Sequence, residues 1–74
     1  MNYKRIRRIR ELREDNDFTQ AQIAALLNCS QVSYSNYEAG RRDIPIESLV
    51  RLAEFYNVSV DYLLGLSNVR ERYE

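Results

Sequence analysis

The chain has 74 residues, 45% of them apolar, with eleven basic and eleven acidic side chains that cancel, no histidine and one cysteine. That length holds one domain, residues 1–74, with a single small core at about residues 6–66, and the apolar content excludes a disordered chain. A zero net charge argues against a nucleic-acid partner on totals alone, but a local basic face can steer phosphate while the opposite face is acidic.

Before position 14 the chain carries Lys4, Arg5, Arg7, Arg8, Arg10 and Arg13 against Glu11 alone. Ile6, Ile9 and Leu12 fall along one stripe, which predicts an amphipathic first helix running to about Asp15. Two readings stand for Arg7 and Arg8: a solvated basic face, or contact with DNA phosphate. Glu14, Asp15 and Asp17 then reverse the sign, which argues against DNA contact at the far end of the helix.

Thr19 is an N-cap candidate for a second helix built on Ala21, Ile23, Ala24, Leu26 and Leu27. Asn28 suits a left-handed helix end, Cys29 is a small apolar plug, and Ser30 can cap a third helix from Gln31 to about Glu38. Two helices across so short a turn predict a helix-turn-helix, whose second helix can enter a DNA major groove. Tyr34 and Tyr37 lie three apart on the core side of that helix, which leaves Gln31, Val32, Ser33, Ser35 and Asn36 outside. That face is small or amide-bearing and uncharged, unlike the Glu and Lys of a helix built only for solubility. Gln and Asn can pair bidentately with adenine and Val can pack on a thymine methyl, so this face suits the edges of A·T pairs. Ser33 and Ser35 on it are candidate phosphate donors.

Gly40 can close the third helix, and Arg41 and Arg42 follow as phosphate clamps, with Asp43 as an alternative partner for either. Pro45 opens a fourth helix to Tyr56, with Ile46, Leu49, Leu52, Ala53 and Tyr56 towards the core and Val50 and Phe55 off that stripe. Asn57 to Ser59 make a turn, and Ser59 caps a short last helix from Val60 to about Leu66, with Leu63 and Leu64 closing the core. The tail, Ser67 to Glu74, is either frayed or a continuation of helix. Phe55, Tyr62 and Leu66 are apolar and unclaimed by the core, and form the candidate patch of a homodimer.

The stretch from Thr19 to Gly40, with Thr19-Gln20, Ala24, Leu27, Ser30, Ser35, Glu38 and Gly40 at matching spacing, resembles the XRE-type, lambda-repressor-like helix-turn-helix family. The likeness extends upstream to Ile9–Arg13 and downstream through Arg42, Pro45, Leu49, Leu52-Ala53 and Val58–Leu64, so it covers about residues 6–65. Asn28 stands where the family usually has Gly, and Cys29 and Tyr34 replace its usual Val and Ile. The resemblance implies an all-α, five-helix domain that binds double-stranded DNA as a dimer and regulates transcription, most simply as a repressor. It implies base reading at Gln31, Val32 and Asn36, a phosphate role for Gln20 at the start of the second helix, and an ion pair between Arg13 and Glu38.

A second class of function stays open, a protein-interaction module of antitoxin type in which DNA binding is secondary; the zero net charge favours it slightly. An enzyme is not expected: there is no histidine, no second cysteine for a zinc site, and no paired-carboxylate constellation beside a Gly-rich loop. No metal, cofactor or small-molecule ligand is expected either. No run of about 18 apolar residues is present to span a bilayer, and no apolar stretch follows the basic N-terminus as in a secretory signal. With a lone Cys29 that cannot form an internal disulfide, these features fit a cytoplasmic protein.

Overall fold

The computed structural model describes residues 7–68 and residue 70. Its helices are α1 (Arg7–Asp15), α2 (Gln20–Leu26), α3 (Gln31–Ala39), α4 (Ile46–Tyr56) and α5 (Val60–Leu63), with no strand among the described residues. The fold is the all-α, five-helix arrangement expected from the sequence. Lys4, Arg5 and Ile6, assigned above to the first helix, lie outside the described residues.

Each helix is stopped by the same device. Asp17, Asn28, Gly40, Asn57 and Gly65 all take a positive φ, between 56 and 78°. The residue after each sends its N–H back five positions: Phe18 to Arg13, Cys29 to Ala24, Arg41 to Asn36, Val58 to Ala53 and Leu66 to Asp61, all at 2.9–3.0 Å. The positive-φ residue itself donates to the carbonyl three back, at 3.1–3.2 Å. This Schellman closure satisfies carbonyls that a helix end otherwise leaves open.

After α1, α2 and α4 the next helix starts at once. Thr19, Ser30 and Ser59 accept the backbone N–H of Gln22, Ser33 and Tyr62 at 3.0–3.1 Å, each capping the helix that follows. Thr19 also donates its own N–H to Gln22 Oε1 at 2.8 Å, completing a capping box. Between stop and start stands one apolar residue, Phe18, Cys29 or Val58, and each packs on the core. A left-handed residue, a core plug and a cap thus make a complete joint in three residues.

The joints fold the apolar stripes onto one another. Ile9 and Leu12 of α1, Ile23, Ala24 and Leu27 around α2, Tyr34 of α3, Leu49, Leu52 and Ala53 of α4, then Val58 and Leu63, form one buried cluster. Helix α2 packs on α3, α1 touches both α3 and α5, and α4 lies against α5.

Three expectations are corrected. Ile46 is 67% exposed, because the first turn of α4 projects beyond the core and its buried stripe starts only at Leu49. Helix α5 ends at Leu63 rather than near Leu66, because Gly65 at φ 78° turns the chain by the closure just described. The described part of the tail is neither frayed nor helical. Arg8 donates to the carbonyls of Tyr62 at 3.0 Å and Ser67 at 2.7 Å, and to Asn68 Oδ1 at 2.7 Å. The Ser59 N–H reaches the Arg70 carbonyl at 2.9 Å. Arg8 is therefore a clamp on the chain after α5.

The turn between α2 and α3 offers a direct check of the left-handed joint. Asn28→Gly is expected to leave stability unchanged or slightly raised, whereas Asn28→Val, which resists φ 59°, is expected to lose about 1–2 kcal/mol. Urea denaturation followed by circular dichroism measures both.

Candidate nucleic-acid interface

Helix α3 is fixed from behind by two side chains four residues apart. Tyr34 is fully buried and Glu38 nearly so, and they are the two buried residues of the helix. Glu38 is a junction of three helices. Arg13 of α1 donates from Nε to Oε2 at 2.7 Å and from Nη2 to Oε1 at 3.2 Å, and Gln20 of α2 donates to Oε1 at 3.1 Å. Arg13 also donates from Nη1 to the Phe18 carbonyl at 2.9 Å, so the guanidinium spans the α1–α2 joint. The ion pair implied by the resemblance is present and shielded, with side-chain exposures of 13% and 5%.

The electrostatics follow from that burial. Desolvation pushes the Glu38 carboxyl up, but the hydrogen bonds it receives, first among them from Arg13, outweigh this and hold it below its ordinary value. The hydrogen bond with Glu38 raises Arg13 in turn, against its own desolvation. Burial, then the nearby Glu38 carboxylate, pushes Tyr34 above its ordinary range, and its hydroxyl has no hydrogen-bond partner of standard geometry among the described residues. Tyr56 is pushed up to about 12, chiefly by burial. Burial also raises the Cys29 thiol, which disfavours the thiolate a nucleophile needs.

With Tyr34 and Glu38 facing inward, the opposite side of α3 faces out. Gln31 is exposed, Val32 is 72% exposed and Asn36 is half-buried, and neither amide has a hydrogen-bond partner among the described residues. Ser30 caps the helix and donates to Ser33 Oγ at 3.0 Å, which leaves the Ser33 hydroxyl proton for another acceptor. Ser35 is half-buried on the α1 side, in the wall of a cleft of about 440 Å³ that Arg10, Gln20 and Arg41 also line. Arg41 and Arg42 are exposed, and their backbone N–H groups both fold onto the Asn36 carbonyl, at 2.9 and 3.3 Å. Asp43 pairs with neither arginine among the described residues.

Other expected site residues fall elsewhere. The Gln20 amide is committed in part to Glu38, leaving one N–H and its carbonyl for another partner. Arg7 is exposed on α1 and shares a separate depression with Arg10, Glu11 and Glu38. Tyr62, read above as unclaimed by the core, packs against it and lies under Arg8, whose guanidinium carbon is 4.1 Å from the ring centre. Phe55 is 43% exposed and contacts Phe18 and Tyr56, with ring centres 5.4 and 5.1 Å apart, while Leu66 is 51% exposed. Sequence reasoning missed the Arg8 clamp, whose partners are mostly carbonyls and leave no signature. It also missed Arg10 beside α3, although Arg10 and Glu14 stand at the helical ion-pair spacing.

The ion pair generates a prediction. Arg13→Met leaves a buried carboxylate alone and is expected to cost about 3 kcal/mol, whereas Arg13→Met with Glu38→Leu costs less than that single change. Because the folded Glu38 carboxyl is more acidic than its unfolded counterpart, its contribution is complete above the unfolded value of about 4.3 and is lost as pH falls through the lower folded value. Acid denaturation of the native chain should therefore be steeper below about pH 4 than that of Glu38→Gln.

A helix-turn-helix family model matches residues 9–63, from the first buried residue of α1 to the end of α5. Among relatives in Bacillus subtilis, the uncharacterized HTH-type transcriptional regulator YobD is 43% identical over 61 residues, 82% of this chain and 54% of the relative. The HTH-type transcriptional regulator ImmR is 40% identical over 68 residues, 92% of this chain and 54% of the relative. The cryptic phage CTXphi transcriptional repressor RstR of Vibrio cholerae is 31% identical over 67 residues, 88% of this chain and 60% of the relative. The chain spans about half the length of the curated relatives it matches. No solved structure matches it. The chain belongs to the XRE-type, lambda-repressor-like helix-turn-helix family.

Proposed function

We propose that the chain reads duplex DNA sequence-specifically and regulates transcription, most simply as a repressor that occupies a promoter. The observation that carries this reading is the outer face of α3. Two amides without partners among the described residues and an exposed valine project from a helix held by two buried side chains behind it. Such a face costs a solvated helix stability without any return, but matches the adenine edge and thymine methyl of a major groove. Ser33, Ser35, Arg41, Arg42, Arg7 and the free proton of Gln20 are its phosphate contacts. They fix register and carry no sequence information. The relatives named as transcriptional regulators and repressors support the same reading.

One α3 offers a short footprint, so the active form is a homodimer whose two reading helices enter successive major grooves about 34 Å apart on an inverted repeat. Phe55 and Leu66 are its exposed apolar contacts, and Tyr62 adds its outer edge.

Selection of bound duplexes from a random library, followed by fluorescence-anisotropy titration, tests the function. An inverted repeat with A·T pairs at the contacted positions is expected. Gln31→Ala and Asn36→Ala each lose about 1–3 kcal/mol of discrimination at particular base pairs, while Arg42→Ala weakens all duplexes alike. Recovery of no motif would defeat the reading in favour of a protein partner. For the dimer, sedimentation of Phe55→Ser with Leu66→Ser is expected to show a monomer, and an undisturbed dimer would place the interface elsewhere.

A further inference from the structure

The cleft between α1 and α3 contains a charge that the reading face does not use. Its floor is the Arg13–Glu38 pair, whose opposite charges cancel at 2.7 Å. Arg10 stands on the α1 wall, and Arg41 and Ser35 on the α3 side. The charges of the cleft outside that pair are Arg10 and Arg41, one on each wall. Ser35 lies three and four residues from Val32 and Gln31, so the α3 wall adjoins the base-reading stripe. In the duplex-reading function proposed above, a phosphate backbone beside the groove would meet this side of α3.

Among the described residues Arg10 has one partner, Glu14, one turn on. Their closest approach is 3.6 Å and both side chains are more than half exposed, at 58% and 54%. An exposed pair of that kind holds its partners weakly. A DNA phosphate can take a guanidinium in two parallel hydrogen bonds, whereas Glu14 comes no closer than 3.6 Å.

We propose that Arg10 is a DNA-phosphate contact made across the α1–α3 cleft from Arg41, and that Glu14 competes with the phosphate for it. This rests on the duplex-reading function proposed above. Glu14 then sets a limit on affinity for DNA of any sequence, so that the bases read by α3 carry a larger share of the total.

The test uses the full chain with two duplexes of equal length, the selected operator and an unrelated sequence, titrated by anisotropy across a salt series. Arg10→Gln is expected to weaken both duplexes by the same factor and to reduce the slope of log K against log salt by about 0.9, one phosphate's worth. Glu14→Gln is expected to tighten both by roughly twofold, the strength of an exposed ion pair one helical turn apart that no longer competes for Arg10. In the double variant Arg10→Gln with Glu14→Gln, most of that gain should disappear. Both positions are exposed, and an unchanged thermal midpoint confirms that the fold is intact. An unchanged slope in Arg10→Gln, alongside a reduced slope in Arg41→Gln, overturns the proposal and leaves the DNA-reading function standing. So does a full Glu14→Gln gain in the double variant, which would make Glu14 a general repulsive charge. A native chain that binds neither duplex overturns both readings together.

Discussion

A single buried carboxylate sets the geometry on which the rest of this molecule depends. Glu38 takes a two-point contact from Arg13 and a third from Gln20, so one side chain ties α3 to both α1 and α2. Removing a carboxylate from water is costly, and an ion pair in its place often yields little net stability. What it supplies here is direction. A hydrophobic contact tolerates a helix rolling by several degrees, whereas two hydrogen bonds at fixed angles do not. The rotation of α3 about its own axis, and with it the direction of Gln31, Val32 and Asn36, is set by that geometry.

The economy of α3 follows. Tyr34 fills the core, Glu38 fixes the angle, and Ser30 and Gly40 close the two ends. Tyr34 and Glu38 face inward, Ser30 and Gly40 act only at the ends, and neither Gln31 nor Asn36 spends its side-chain amide on holding the helix. The outer positions can therefore change without disturbing the fold, which lets one scaffold carry different recognition surfaces.

Much of this architecture was legible in the residues. The joints at Asn28-Cys29-Ser30 and Asn57-Val58-Ser59 could be read because Asn tolerates the left-handed region and Ser is a strong cap. The equivalent joint at Asp17-Phe18-Thr19 was obscured, since Asp17 reads first as one of a run of acids. Periodicity placed Leu49, Leu52 and Ala53 correctly but overextended to Ile46, because it gives a residue's angle around a helix and not whether the core reaches that turn. The Arg13–Glu38 pair came from family likeness; nothing in the residues alone selects Arg13 from its five basic neighbours. The candidate interface was legible in its chemistry, through the uncharged amide face, but not in its surroundings. The Arg8 clamp and the engagement of Gln20 with Glu38 depend on which groups the tertiary fold brings near, and a one-dimensional pattern does not encode that.

The five helix closures also bear on how quickly the chain finds its structure. Each joint is completed by hydrogen bonds between residues three and five positions apart, so the turns can form before any distant contact exists. Little loop-closure entropy is lost in making them, and low contact order of this kind belongs to helical domains that fold in about microseconds to milliseconds. Distant contacts such as Arg13 to Glu38, 25 residues apart, then join segments whose turns need no partner from elsewhere in the chain. A helix-turn-helix made this way holds its turn geometry in local hydrogen bonds, and its short helices gain their stability when the apolar stripes meet.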